Sequence, residues 1–163
     1  DAGEAGASND LYLVSNNRAF ERPELAPLLD DLTPPADVFE VPVRPGQASL
    51  WFGPGGTVTP LHHDTATILV CQIYGRKQID LVSPLSSRLV TGARGFFADV
   101  RASDLAGGEA GSPLLRTVLS PGEALLLPAG WWHEVTALET SIHVSLLSFR
   151  RTVSADWYRP GEV

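Results

Sequence analysis

The segment GGTVTPLHHDTATILVCQIYGRKQIDLVSP, residues 55–84, sets His62, His63 and Asp64 side by side between a Gly/Thr/Pro turn and an apolar run, in a chain with four histidines. On an extended strand, residues two apart project from one face about 6–7 Å apart, so His62 and Asp64 can turn toward a common centre while His63 points away. An imidazole and a carboxylate suit a borderline divalent ion. A second histidine would complete a two-histidine, one-carboxylate face that leaves other coordination positions open. The same residues could form a hydrogen-bonded polar cluster with no metal. H-x-D is three letters and does not decide between the two.

A second segment, PGEALLLPAGWWHEV, places Gly122, Pro128, Gly130 and His133 in the pattern G-x5-P-x-G-x2-H. Gly122 permits a tight turn, EALLL reads as a buried strand, and Pro128-Ala129-Gly130 turns the chain again. His133 then begins a strand from which it can meet His62 and Asp64 across a barrel. This pattern resembles a motif of the cupins, double-stranded β-helix proteins, although Ala137 stands where that motif often ends in asparagine.

The spacing T-P-L-H-x-D, a lysine thirteen residues on in YGRK, and PAGWWH is similar to that of the JmjC-type iron- and 2-oxoglutarate-dependent oxygenases. The nearest resemblance is to the cupin-like branch with the asparaginyl hydroxylase that inhibits hypoxia-inducible factor. The likeness runs from about Leu11 to Arg150. It implies that His62, Asp64 and His133 are catalytic iron(II) ligands. It further implies that Thr59 and Lys77 hold the distal carboxylate of 2-oxoglutarate, and Tyr12 aligns more loosely with a tyrosine at that carboxylate. Lys77 also makes sense by itself, because a lysine aimed into a barrel needs an anionic partner. Where the hydroxylase has asparagines near the co-substrate, this chain has Ile68 and Ser145; Ser145 can donate one hydrogen bond and Ile68 none.

The resemblance therefore implies an enzyme that takes 2-oxoglutarate and dioxygen and hydroxylates a C–H bond, with a protein or peptide side chain favoured over a small molecule or RNA. A metal-dependent cupin enzyme without 2-oxoglutarate, and a non-catalytic metal-binding sensor or scaffold, are the alternatives. Neither the prime substrate nor the oligomeric state is written in the motifs.

The elements that must position these residues are mostly strands. LYLV, ASLWFG, TATILVCQIYG, KQIDLV, LLRTVL, EALLLPA, HEVTAL and SIHVSLLSF read as strands, with TATILVCQIYG and KQIDLV forming a hairpin through Gly75-Arg76. RPELAPLLDDL presents Leu25, Leu28, Leu29 and Leu32 on one helical face. PPADVFEVPV is extended. Residues 83–113 form a long connection in which Phe96 and Phe97 anchor the loop or line a substrate entrance. The expected fold is all-β, a double-stranded β-helix (cupin or jelly-roll barrel) with a short N-terminal helical segment. Residues 1–10 read as a flexible terminus and 11–163 as one oxygenase domain.

Composition agrees with a soluble globular domain: 163 residues, 44% hydrophobic, 19% charged. A net charge of −7 disfavours non-specific nucleic-acid or anionic-membrane binding. Cys71, the single cysteine, excludes an internal disulfide and reads as a buried small hydrophobe. No apolar run is long enough to span a membrane, and the expected location is cytoplasmic. The chain starts at Asp1 without any methionine, as a mature form or a domain cut from a longer protein would. Other readings concern single residues. His63 is a partly exposed or backbone-bonded imidazole and His143 a hydrogen-bonded core histidine near the co-substrate. Trp131 and Trp132 pack at the rim, and Arg150-Arg151 is a solvated strand end.

Overall fold

The computed structural model describes residues 9–89, 96–105 and 114–151. Among them eight strands run in chain order: β1 (Ala48–Gly53), β2 (Val58–His63), β3 (Ile68–Tyr74), β4 (Lys77–Val82), β5 (Leu115–Leu119), β6 (Ala124–Leu127), β7 (Trp132–Ala137) and β8 (Ser141–Leu146). They form two four-stranded antiparallel sheets, in the orders β1-β8-β3-β6 and β2-β7-β4-β5. Successive strands step from one sheet to the other except β4 and β5, which pair within the second sheet, and this interleaving is the expected double-stranded β-helix. Among the described residues no helix is long and apolar enough to cross a membrane.

The expected hairpin is not formed. β3 lies in the first sheet and β4 in the second, so Gly75-Arg76 is a corner between sheets. Gly75 has φ +66°, and a Cβ there would lie 2.1 Å from the Thr140 carbonyl oxygen, so the corner admits only glycine. A short Gly-containing linker between two apolar strands looks the same in sequence whether it makes a hairpin or a corner.

Strand alternation sorts the residues by face. Val70, Ile79, Leu119 and Leu127 pack between the sheets. Val144, Leu146 and Ala48 face the other way and are covered by Phe20, Phe39 and Val43 from the N-terminal region. Cys71 packs on this outer cluster, half-buried. The outer face of the second sheet is closed by Leu61, Val82 and Trp132 against Ala98, Val100 and Ala102, the last opening the short helix α1 (Ala102–Leu105).

The N-terminal helical segment is a set of short 3-10 turns, Ala19–Glu21, Ala26–Asp31 and Pro45–Gln47. Pro27, in the middle of RPELAPLLDDL, removes a backbone donor that one continuous α-helix would need, and short 3-10 pieces serve as connectors. Within LYLV only Leu13 pairs, in a bridge to Phe52, and Phe39 of PPADVFEVPV bridges Phe149. Arg150 and Arg151 are exposed, as expected, and Arg150 Nε also donates to the carbonyls of Ala36 (2.6 Å) and Phe39 (3.2 Å). Residues 1–8 of the expected flexible terminus lie outside the described residues. Asn9 makes two side-chain hydrogen bonds with the backbone of Val58, at 2.8 and 2.9 Å.

Candidate metal centre

β2 and β7 bring the metal-ligand candidates together. Thr59 pairs with Val135 and His62 with His133, so β2 spends three residues where β7 spends two. The extra residue is a β-bulge, and Pro60 sits in it, a position where a strand tolerates proline. The bulge turns Thr59 and His62 to the same, inward face. His133 and Val135 point inward from β7 by ordinary alternation.

His62, Asp64 and His133 each offer one ligand atom, and these atoms lie within 4.8 Å of one another. The Asp64 Oδ2 is 3.4 Å from His133 Nε2 and 3.9 Å from His62 Nε2. His62 Nδ1 lies 2.8 Å from the Pro60 carbonyl and His133 Nδ1 lies 3.0 Å from that of Trp131. A carbonyl only accepts, so both rings carry their proton on Nδ1 and turn an Nε2 lone pair toward Asp64. Holding the outer nitrogen on a backbone carbonyl is how proteins orient imidazole ligands.

Burial reinforces the arrangement. It holds His133 down at about 3, with the neighbouring His62 adding to the effect. It also pushes the Asp64 carboxyl up, against the pull of His62 and His63. A centre that disfavours both the imidazolium and the bare carboxylate is suited to a dication. The donor set, tautomers and spacing fit a divalent ion of the iron(II) or zinc(II) type.

A cavity of about 140 Å³ opens from these residues between the sheets. It is well below the roughly 300–1,000 Å³ of drug-sized sites, so it suits a small acid. Ile68 and Ser145 line it, as do Trp51 and His143. At one end Thr59 Oγ1 lies 3.0 Å from the Tyr12 hydroxyl, and Lys77 Nζ lies 3.5 Å from that hydroxyl. Lys77 is fully buried and reaches across the gap between sheets to His143 Nδ1, at 2.8 Å. Burial brings its ammonium down to about 7. His143, buried beside that charge, is held well below the ordinary histidine range.

Thr59, Tyr12 and Lys77 are therefore one cluster, and Ser145 lies on the same cavity, accepting a hydrogen bond from Trp51 Nε1 at 2.9 Å. Trp51 is the residue sequence reading missed. Alternation in ASLWFG puts Ser49 and Trp51 on one face, but nothing in the segment says that this face is the inner one. His143 is the hydrogen-bonded core histidine expected, with its ring stacked 5.0 Å from Trp51.

Outside the cavity, a groove of about 410 Å³ shares Thr59, His62 and Asp64 with it. Phe96 and Phe97 form its far wall, 52% and 48% exposed. They anchor the connection, since the Phe96–Ala98 segment bonds along β2. Its bonds run from His63 N to Phe96 O (3.0 Å) and from Ala98 N to Leu61 O (2.9 Å). Phe97 stacks on His62 at 5.5 Å. His63 faces away from the centre as expected; it is buried rather than partly exposed, edge-on to Phe96 and Trp132, and meets the other expectation through a backbone hydrogen bond at Asp64. Trp132 is core, not rim; Trp131 is half-buried.

A family model described as a cupin-like domain matches residues 1–154. The chain is 36% identical over 103 residues to the Jumonji C domain-containing protein 5 of Drosophila melanogaster, covering 58% of this chain and 26% of that protein. It is 33% identical over 103 residues to lysine-specific demethylase 8 of Xenopus tropicalis, covering 58% and 23%. Among solved structures, that of YcfD, a ribosomal oxygenase from Escherichia coli, superposes with a TM-score of 0.42 at 23% identity, covering 64% of this chain and 22% of that one. The chain spans about a quarter of the length of the curated relatives it matches.

Proposed function

The chain belongs to the cupin-like domain family, and from that premise we propose that it is an Fe(II)- and 2-oxoglutarate-dependent oxygenase that hydroxylates a C–H bond of a protein or peptide side chain. The observation that carries this reading is one cavity that two clusters meet. His62, Asp64 and His133, with inward lone pairs, line it on one side, and Thr59 and His143 line it in front of the buried Lys77 and the Tyr12 hydroxyl to which they are hydrogen-bonded.

His62, Asp64 and His133 would hold iron(II), and the carboxylate would offset part of its charge. Bound iron(II) supplies the activation of dioxygen that couples oxidative decarboxylation of 2-oxoglutarate to succinate with hydroxylation of the substrate. Lys77 supplies positive charge for the distal carboxylate, and Thr59 and Tyr12 supply hydroxyls beside it. Ile68, Val70 and Leu127 give the cavity apolar walls that exclude water. The groove walled by Phe96 and Phe97 leaves one side of His62 and Asp64 open to a polypeptide segment. The name of one relative, a lysine-specific demethylase, supports a protein substrate.

The test is an anaerobic titration with iron(II) and then 2-oxoglutarate, following the visible charge-transfer band of the chelate. The band is expected in the wild-type chain, absent in His133→Ala and weakened in Lys77→Ala. Metal binding without a band would overturn the oxygenase reading in favour of another cupin chemistry.

A further inference from the structure

Lys77 is fully buried, whereas Thr59 and His143 are the groups of its cluster that face the cavity. The ammonium stands behind His143 and reaches only that ring and the Tyr12 hydroxyl. A protonated lysine only donates, so His143 Nδ1 accepts and the ring's own proton sits on Nε2. The ring is stacked on Trp51, which is itself tied through Nε1 to Ser145 on the same strand, β8. An imidazole clamped by stacking on one side and a lysine on its Nδ1 has its orientation set. Its remaining function is one N–H donor in a cavity where Ile68 offers none.

We propose that His143 is a co-substrate-binding residue: its Nε2–H donates to the distal carboxylate of 2-oxoglutarate while its Nδ1 holds Lys77 behind it. The inference rests on the oxygenase reading and adds to it the residue that replaces the missing amide donor. A buried donor to a carboxylate is charge-assisted, so its loss is felt in affinity for the acid and not in affinity for the metal.

The experiment uses the full chain loaded with redox-inert zinc(II) and measures calorimetric affinities for 2-oxoglutarate, succinate and 2-oxobutyrate, the last lacking a distal carboxylate. His143→Phe is expected to weaken both dicarboxylates about 10- to 100-fold, to leave 2-oxobutyrate and zinc within about twofold, and to be partly rescued in His143→Gln. In the wild-type chain, long-range 1H–15N spectra should show the Nε2–H tautomer, with that proton shifting downfield on adding succinate. Equal weakening of all three acids, or an Nε2 proton that ignores succinate, overturns the role of His143 and leaves the oxygenase reading standing. A wild-type chain that binds zinc but none of the acids sinks both.

Discussion

Thr59 and His62 share the inward face of β2 although they lie three positions apart, because the bulge at Pro60 adds one residue against β7. The same bulge places the Pro60 carbonyl under His62 Nδ1. One irregularity thus aims both a metal-ligand candidate and a candidate co-substrate hydroxyl into the cavity. The two remain chemically separate, since Thr59 bonds to Tyr12 and His62 faces Asp64. His133→Ala is expected to lower cobalt(II) affinity by more than the roughly 10- to 100-fold that outer-shell changes cost. Thr59→Ala should change it less than about threefold while weakening 2-oxoglutarate binding about 5- to 20-fold, the scale of one hydrogen bond to a charged group. Titration of the visible cobalt bands in both variants, with and without 2-oxoglutarate, measures this; a Thr59→Ala loss as large as that of His133→Ala would refute it.

Lys77 makes ligand-free stability depend on pH. Its folded value of about 7 lies below the ordinary 10.5, so between these limits the unfolded chain binds the additional proton. Stability therefore rises with pH through that window, and the cost of burying the ammonium is fully present below it. The gain is at most about 1.4 kcal/mol per pH unit. His143 is held well below 6.5 and the Tyr12 hydroxyl, raised by burial, stays above 10, so neither titrates between pH 7.5 and 9.5. Urea unfolding of the metal-free chain should show stability rising over this range, and Lys77→Met should flatten the rise. Equal slopes in the two proteins would refute the assignment.

The candidate metal centre was legible in sequence because its chemistry sits in two short motifs whose residue types leave few other uses. The strands were legible for the same local reason, through their apolar alternation. What alternation cannot say is which partner a strand takes or which face is inner. That is why Gly75-Arg76 read as a hairpin, and why nothing in ASLWFG marks Trp51 as a cavity residue, a place it takes by pairing with His143 across β8. Lys77 was placed with an anionic partner, but its ligand-free partner is a neutral imidazole 66 residues away, a pairing that only the packing of β8 against β4 creates. His63 read as a side chain between ligands, and its burial comes from Phe96, thirty-odd residues on, returning along β2.

Adjacent tryptophans should behave differently. Trp132 fills the outer cluster of the second sheet with Leu61 and Val82 and is completely buried. Trp131 is half-buried, and what the centre takes from it is its backbone carbonyl. Trp132→Ala is expected to cost about 3–5 kcal/mol by transfer and cavity terms. Trp131→Ala should cost under about 1.5 kcal/mol and keep metal affinity, since the carbonyl survives the change. Urea unfolding with parallel cobalt titration separates the two; similar destabilisation by both would mean that Trp131 is part of the core.

The corner that delivers Lys77 gives a last test. Gly75 and Gly122 both hold positive φ, +66° and +89°. A side chain at either costs about 1 kcal/mol of backbone strain. Only at Gly75 does the added methyl also meet backbone, the Thr140 carbonyl at 2.1 Å, while at Gly122 nothing lies within 4 Å. Thr140 precedes Ser141, the first residue of β8, so relieving the clash must move either the corner or the strand that carries His143. Gly122→Ala should lower stability by about 1 kcal/mol and leave 2-oxoglutarate affinity unchanged. Gly75→Ala should lose at least about 3 kcal/mol, and whatever folded protein remains should bind 2-oxoglutarate more weakly, because Lys77 and His143 flank the displaced segment. Thermal unfolding and calorimetry on the paired variants measure both quantities; equal losses would show that the corner yields without disturbing the cluster.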